Sequence, residues 1–177
     1  MATSYWAYIL IKAVAFWIVF LILYGLYRFF PVFPLSLISG TVESVFQHLK
    51  QGFYAYIIVN LVETALVYPR IPAREPYFYA RVAATVFLPW VIFLLWYIAP
   101  AVIGRLKNNT YEIIYANLIT FLVGLFAVTL ERGFEQIEYT WEIKLVVLAL
   151  FFVSILHYLV FTYRLPWADV FIEPDWR

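Results

Sequence analysis

Between Tyr5 and Tyr27 the chain carries a single charged side chain, Lys12. A run this long and this apolar permits very few folds. It matches the ~20 residues that carry a helix across a bilayer. In lipid, a helix or a closed barrel alone satisfies every backbone N–H and C=O. Three more runs of the same kind cover about Ala80–Gly104, Tyr111–Leu130 and Glu142–Tyr163. A shorter one, Phe53–Pro69, contains Asn60 and Glu63. With about Tyr5–Arg28 as the first, the reading is an all-α, polytopic transmembrane bundle of about five spans.

Composition agrees. Of the 177 residues, 66% are hydrophobic and only 13% charged, and mean hydropathy is +0.86. A soluble domain has about 45–50% apolar and about 25% charged residues. The polar gaps are too short to separate domains, so residues 1–177 are read as one integral membrane domain. A net charge of +1 supplies no field for nucleic acid. The absence of cysteine excludes disulfides, thiolate metal clusters and a cysteine nucleophile. That absence, with a single Met, fits a thermophilic source. The first residues, Met1 to Trp6, lack the basic start of a signal peptide, so the first span is expected to be retained.

Pro31 and Pro34 stop the first span. A link with Arg70, Pro72, Arg74, Glu75 and Pro76 follows the second. Two other segments read as amphipathic interfacial helices. In Val42–Phe53 the residues Val42, Val45, Phe46, Leu49 and Phe53 form one apolar stripe. Glu43, Gln47 and Lys50 share one polar flank, and Ser44, His48 and Gln51 the other. This helix is expected either to run on into the second span or to bend at Gly52. In Glu131–Glu142 the residues Phe134, Ile137 and Trp141 form a stripe, and Glu131, Glu135, Glu138 and Glu142 stand in one row.

Charges inside spans are candidate functional groups. Lys12 lies ~10 Å and Glu63 ~9 Å from the same membrane face, at 1.5 Å per residue. Matching depths make them a candidate ion pair, which reduces the cost of burying either charge. Arg70, Arg74, Arg81, Arg132 and Lys144 fall on that face. Arg28, Lys50, Arg105, Lys107, Arg164 and Arg177 fall on the other, so the positive-inside count is nearly tied.

The candidate catalytic residues are Glu43, His48, Lys50 and His157. On an ideal helix Glu43 and His48 stand about 140° apart, which keeps them from sharing one ion. His157 and Glu112 are the candidates for a partner of His48 from another helix. No bound metal or other cofactor is expected. The row Glu131, Glu135, Glu138 and Glu142 is the candidate for Ca²⁺ or Mg²⁺, set against a solvated or protein-contacting surface. Ala116, Thr120 and Gly124 form a small-residue stripe for close packing, internal or against another subunit. Pro89 is expected to kink the third span. Asn108-Asn109-Thr110 fits a glycosylation sequon.

The segment Thr41–Lys50 resembles the Asn-Glu-Ser-Val-Trp-Glu-His-Leu-Lys signature of a family of small prokaryotic integral membrane proteins without an assigned activity. Glu43, Ser44, Val45, His48, Leu49 and Lys50 match. Val42, Phe46 and Gln47 depart from it. The tail Phe161–Pro166 and Val170–Pro174 is similar to that family's Phe-Thr-Tyr-x-Pro-Pro…Leu-Phe-x-Asp-Pro ending. The resemblance implies topology over the whole chain and no activity. The lost second acid at Gln47 weakens any two-carboxylate site.

Three functional classes follow for a multi-pass protein of the cell membrane. The first is a non-catalytic accessory or assembly subunit. Its partners would be lipid and other membrane subunits, met through the Ala116/Thr120/Gly124 stripe or the Glu131–Glu142 segment. The second is a lipid or isoprenoid binder or enzyme using Glu43 and His48 as acid and base. The third is a small transporter using Lys12 and Glu63.

Overall fold

A computed structural model describes residues 2–104 and 108–172. Six α-helices follow one another: α1 (Ala2–Phe29), the short α2 (Phe33–Ser36), α3 (Val45–Val67), α4 (Arg74–Ile103), α5 (Asn109–Phe134) and α6 (Trp141–Tyr163). Two 3₁₀ turns, Tyr68–Arg70 and Asp169–Phe171, complete the order, and no strand occurs among the described residues. Five of the helices are long and apolar enough to cross a bilayer: Tyr5–Phe29, Val45–Arg70, Arg74–Ile103, Thr110–Phe134 and Trp141–Tyr163. The fold is an all-α bundle with the architecture of a multi-pass membrane protein.

Helices α1, α3, α4 and α5 share the main core. Phe16 and Leu23, Tyr56 and Val59, Leu88 and Ile92, Val123 and Val128 meet there, all buried. Lipid tails are as apolar as these side chains, so close fit rather than expulsion from water holds the helices together. Two glycines permit that fit. A Cβ on Gly52 would stand 2.5 Å from Ile92 Cδ1 and 3.1 Å from Leu88 Cδ2, so α3 lies directly on α4. A Cβ on Gly124 would stand 2.8 Å from Phe16 Cδ1 and 3.3 Å from the Ala13 carbonyl, so this part of the small-residue stripe faces α1. Trp17 Nε1 also donates to Asn117 Oδ1 at 3.1 Å across the α1–α5 seam. The stripe serves internal packing at Gly124 and is not a free surface there.

Helix α6 stands apart from this core. Its Tyr158 meets Phe46 and Phe53 of α3, with Phe171 packed against the same cluster. Near its start Lys144 Nζ pairs with Glu75 Oε1 of α4 at 2.6 Å. Leu145, Val146, Phe152, Val153 and Leu156 are exposed.

The ends of the helices have local causes. Gly104, at φ 74°, closes α4 in the left-handed region that a glycine tolerates best. Asn108 Oδ1 accepts the Thr110 N–H at 2.8 Å and caps α5, so the asparagine of the sequon serves as a helix cap. Pro89 and Pro100 both lie inside α4.

The first amphipathic segment runs on into the second span, one of the two courses expected of it, but it starts at Val45 rather than Val42 and its polar side is not at an interface. Ser44 caps α3, its hydroxyl accepting the Gln47 N–H at 3.4 Å, and the helix then runs unbroken through Gly52. Gln47, Lys50 and Gln51 are buried rather than wet. The chain from Phe33 to Thr41 folds back over them: Gln47 Nε2 donates to Thr41 Oγ1 at 3.1 Å, and Lys50 Nζ to the Ser36 carbonyl at 2.8 Å. The second segment is not one helix: it holds the last turn of α5, a link and the first residues of α6. Helix α5 ends at Phe134, and tightening turns carry Gln136 N–H to the Gly133 carbonyl and Ile137 N–H to that of Phe134. Tyr139 stacks on Tyr79 of α4 at 5.4 Å and fixes the link. The four glutamates therefore form no row.

Replacing Gly124 by Val forces Phe16 and the Ala13 backbone aside. It should cost about 1–3 kcal/mol, read as a lowered unfolding midpoint in detergent. Gly133→Ala, where a Cβ meets nothing within 4 Å, should leave the midpoint unchanged or raised.

Candidate functional site

The sequence puts Tyr8 and Lys12 four residues apart on α1, so both point to one face. Tyr56, Asn60 and Glu63 share a face of α3 by the same spacing, and Glu131 and Glu135 share one at the end of α5. Arg81 of α4 stands between them. The four helices bring these groups into one buried network.

Lys12 Nζ contacts Glu63 and donates to Glu131 Oε1 at 2.7 Å and Oε2 at 2.8 Å. Arg81 grips Glu63 with two nitrogens, Nη2 to Oε1 at 2.9 Å and Nε to Oε2 at 3.2 Å. Its Nη2 also lies 3.1 Å from Glu131, and its Nη1 pairs with Glu135 at 2.6 Å. Arg132 closes on Glu135 from the rim at 2.6 Å. Two phenols fill remaining acceptor positions: Tyr8 donates to Glu63 at 2.6 Å, and Tyr56 to Glu131 at 2.8 Å. Glu131 is 0% exposed.

The formal charges cancel. Lys12, Arg81 and Arg132 face Glu63, Glu131 and Glu135. That balance is what allows ions to lie where a lone charge would cost several kcal/mol. The network contains the Lys12–Glu63 pair read from matching depth and enlarges it from two members to six. Glu131 and Glu135 belong to it as counter-ions. Glu138 and Glu142 are exposed outside it. Among the described residues no three His, Asp or Glu side chains form a metal-holding group.

The other end of the bundle holds the expected catalytic candidates, and it separates them into three places. Glu43 lies before α3 begins, so the angle of an ideal helix does not govern it. Its Oε2 stands 3.9 Å from His48 Nε2, and its Oε1 accepts the Tyr24 hydroxyl at 2.7 Å. His48 Nδ1 lies 3.2 Å from Gln51 Oε1. The imidazole sits among Phe20, Tyr24 and Trp96, with ring centroids 6.3, 5.8 and 6.2 Å away. Glu43 is 51% and His48 23% exposed, so this group reaches the surface.

His157 is elsewhere. Its ring packs on Phe46, Tyr158 and Phe161 at 5.8, 5.2 and 4.5 Å. Neither candidate partner, His157 or Glu112, is what His48 meets: its polar neighbours are Glu43 and Gln51. Nor do Glu43 and Lys50 share a flank. Lys50 turns inward, donating to the Ser36 carbonyl and, at 3.1 Å, to Thr162 Oγ1 of α6.

Sequence reasoning counted Arg81 only among the basic residues of one membrane face and missed Tyr8, Tyr24 and Tyr56, while the flank shared by His48 and Gln51 is kept. A usable signal existed for two of these groups. Tyr8 lies one turn from Lys12, and Arg81 begins an otherwise apolar stretch of α4. No protein-family model, curated protein or solved structure matches the chain.

Glu131→Ala leaves Lys12 and Arg81 short of a carboxylate in a dry site. It should cost about 3–5 kcal/mol, whereas Glu138→Ala should leave the unfolding midpoint unchanged. Thermal unfolding of the purified variants in the same detergent checks both.

Proposed function

We propose that this protein is a non-catalytic helical accessory or assembly subunit of a complex in the cell membrane. The observation that carries this reading is the closure of the ionic network around Glu131. Its Lys12, Glu63, Arg81 and Glu131 are committed to one another and to the phenols of Tyr8 and Tyr56, and together they tie four helices. Such groups favour one arrangement of helices and offer little free valence to a transported ion. The transport reading, which rested on Lys12 and Glu63, loses its support.

A subunit also needs a surface. Helix α6 is long enough to span, yet only 6% of its most apolar stretch is buried, against 28–33% in the other four. Lipid or a neighbouring helix can cover it. The resemblance in the Thr41–Lys50 segment is compatible with this reading and implies no activity. Here its matched positions have structural duties: Ser44 caps α3, Val45 is buried and Lys50 ties α2 to α6.

One observation favours a second reading, a lipid or isoprenoid binder with acid–base groups. Glu43 and His48 approach at a partly exposed end of the bundle, and Tyr24 orients the carboxylate. Proton transfer by positioned side chains needs that kind of geometry.

Purification from native membrane in mild detergent, followed by mass spectrometry, separates the two. The subunit reading expects co-migrating polypeptides in fixed ratio, and a lone monomer overturns it. The second expects a retained lipid that is lost in both Glu43→Gln and His48→Gln. Retention unchanged in those variants removes it.

A further inference from the structure

Three cations are buried among the described residues: Lys12, Lys50 and Arg81. Lys12 and Arg81 each meet carboxylates. Lys50 is 0% exposed and meets none. Its two hydrogen bonds go to neutral oxygens, the Ser36 carbonyl at 2.8 Å and Thr162 Oγ1 at 3.1 Å. The Thr162 hydroxyl spends its own proton on the Tyr158 carbonyl, so it can only accept from Lys50. The Ser36 hydroxyl is itself engaged, donating to the Phe33 carbonyl at 2.6 Å and lying 2.8 Å from that of Tyr163.

An ammonium has three N–H donors and needs a counter-charge when water is excluded. An uncharged amine has two N–H donors and one lone pair. Two donors are what this site consumes. We infer that Lys50, held without a counter-charge, gives up its proton readily and as the uncharged amine is a nucleophile for lipid-borne aldehydes.

The class of electrophile follows from the surroundings. The segment that covers Lys50 is a helix of four residues flanked by Pro31, with Pro34 inside it. Phe29, Phe30, Val32 and Phe33 on and beside it are exposed, an apolar track on which an acyl chain can lie. Short, exposed elements with few buried contacts open at the least cost. Opening here exchanges the Ser36 carbonyl for the incoming carbonyl group. A water-soluble aldehyde gains nothing from the track.

The step is imine formation. The Lys50 nitrogen attacks the aldehyde carbon. Both amine protons leave with the carbonyl oxygen as water, and a C=N bond replaces C=O. No oxidant or reductant is consumed. Lysines that form such imines are those held without charge. Lys12 is the internal contrast, since an ammonium enclosed by two carboxylates has no lone pair to offer.

The test uses the intact protein in phosphatidylcholine nanodiscs at neutral pH, so that no lipid amine competes. Hexadecanal is added, imines are trapped with cyanoborohydride, and peptides are mapped by mass spectrometry. The expected result is an alkyl adduct on Lys50 and none on Lys12, with the adduct missing from that peptide in Lys50→Met. Glyceraldehyde in place of hexadecanal should leave Lys50 unmodified. Hexadecanal adducts confined to other amines, or equal labelling of Lys12 and Lys50, would overturn the assignment.

Discussion

Glu131 is an ion with no access to solvent, and the bundle is arranged around that fact. Water cannot stabilise it, so protein groups must. They come from three other helices: Lys12 from α1, Tyr56 from α3 and Arg81 from α4. Each cation then requires enough carboxylate of its own, which brings in Glu63 and Glu135. In a membrane this is a stronger statement about architecture than apolar packing. Apolar faces slide past one another with little change in energy, whereas a bidentate Arg81–Glu63 contact has one geometry. The network sets the depth and rotation of four helices at once.

The opposite end follows another logic. There the polar groups of α3 are covered by folded-back chain rather than matched with opposite charge. Gln47, Lys50 and Gln51 face the Ser36–Thr41 segment, and aromatic rings from α1 and α4 surround His48. One end of the molecule is cross-linked by ions. The other is closed by backbone carbonyls, hydroxyls and rings. The groups with chemical potential, His48 with Glu43 and the amine of Lys50, are all at the second end.

Much of the fold was legible in the sequence because a bilayer admits few solutions. Five apolar runs mean five helices, and the depths of Lys12 and Glu63 already placed them together. What failed were inferences from helical periodicity in polar segments. An amphipathic stripe says which residues differ from which. It does not say whether the polar side meets water or protein. In Val45–Gly52 the answer depends on residues Phe33–Thr41, which carry no periodic signal. In Glu131–Glu142 the pattern fits a helix, but the turn after Gly133 and the seating of Tyr139 on Tyr79 end it. Arg81 was left among the basic residues of one face for a related reason. Near the end of a span a charge can snorkel or turn inward, and only the position of Glu63 and Glu135 decides between them.

The ion network also has a history in time. Lys12 and Glu131 are separated by 119 residues. At about 5–20 residues per second, a ribosome delivers the second roughly 6 to 24 s after the first. Throughout that interval α1 is in or near the bilayer without its principal counter-ion. Its ammonium lies within about two turns of the start of the apolar span at Tyr5, close enough to reach the interface and wait there. Glu63 arrives first, with α3, and α5 then completes the counter-charge with Glu131. The first helix made therefore has its full set of charge partners only once α5 has followed it.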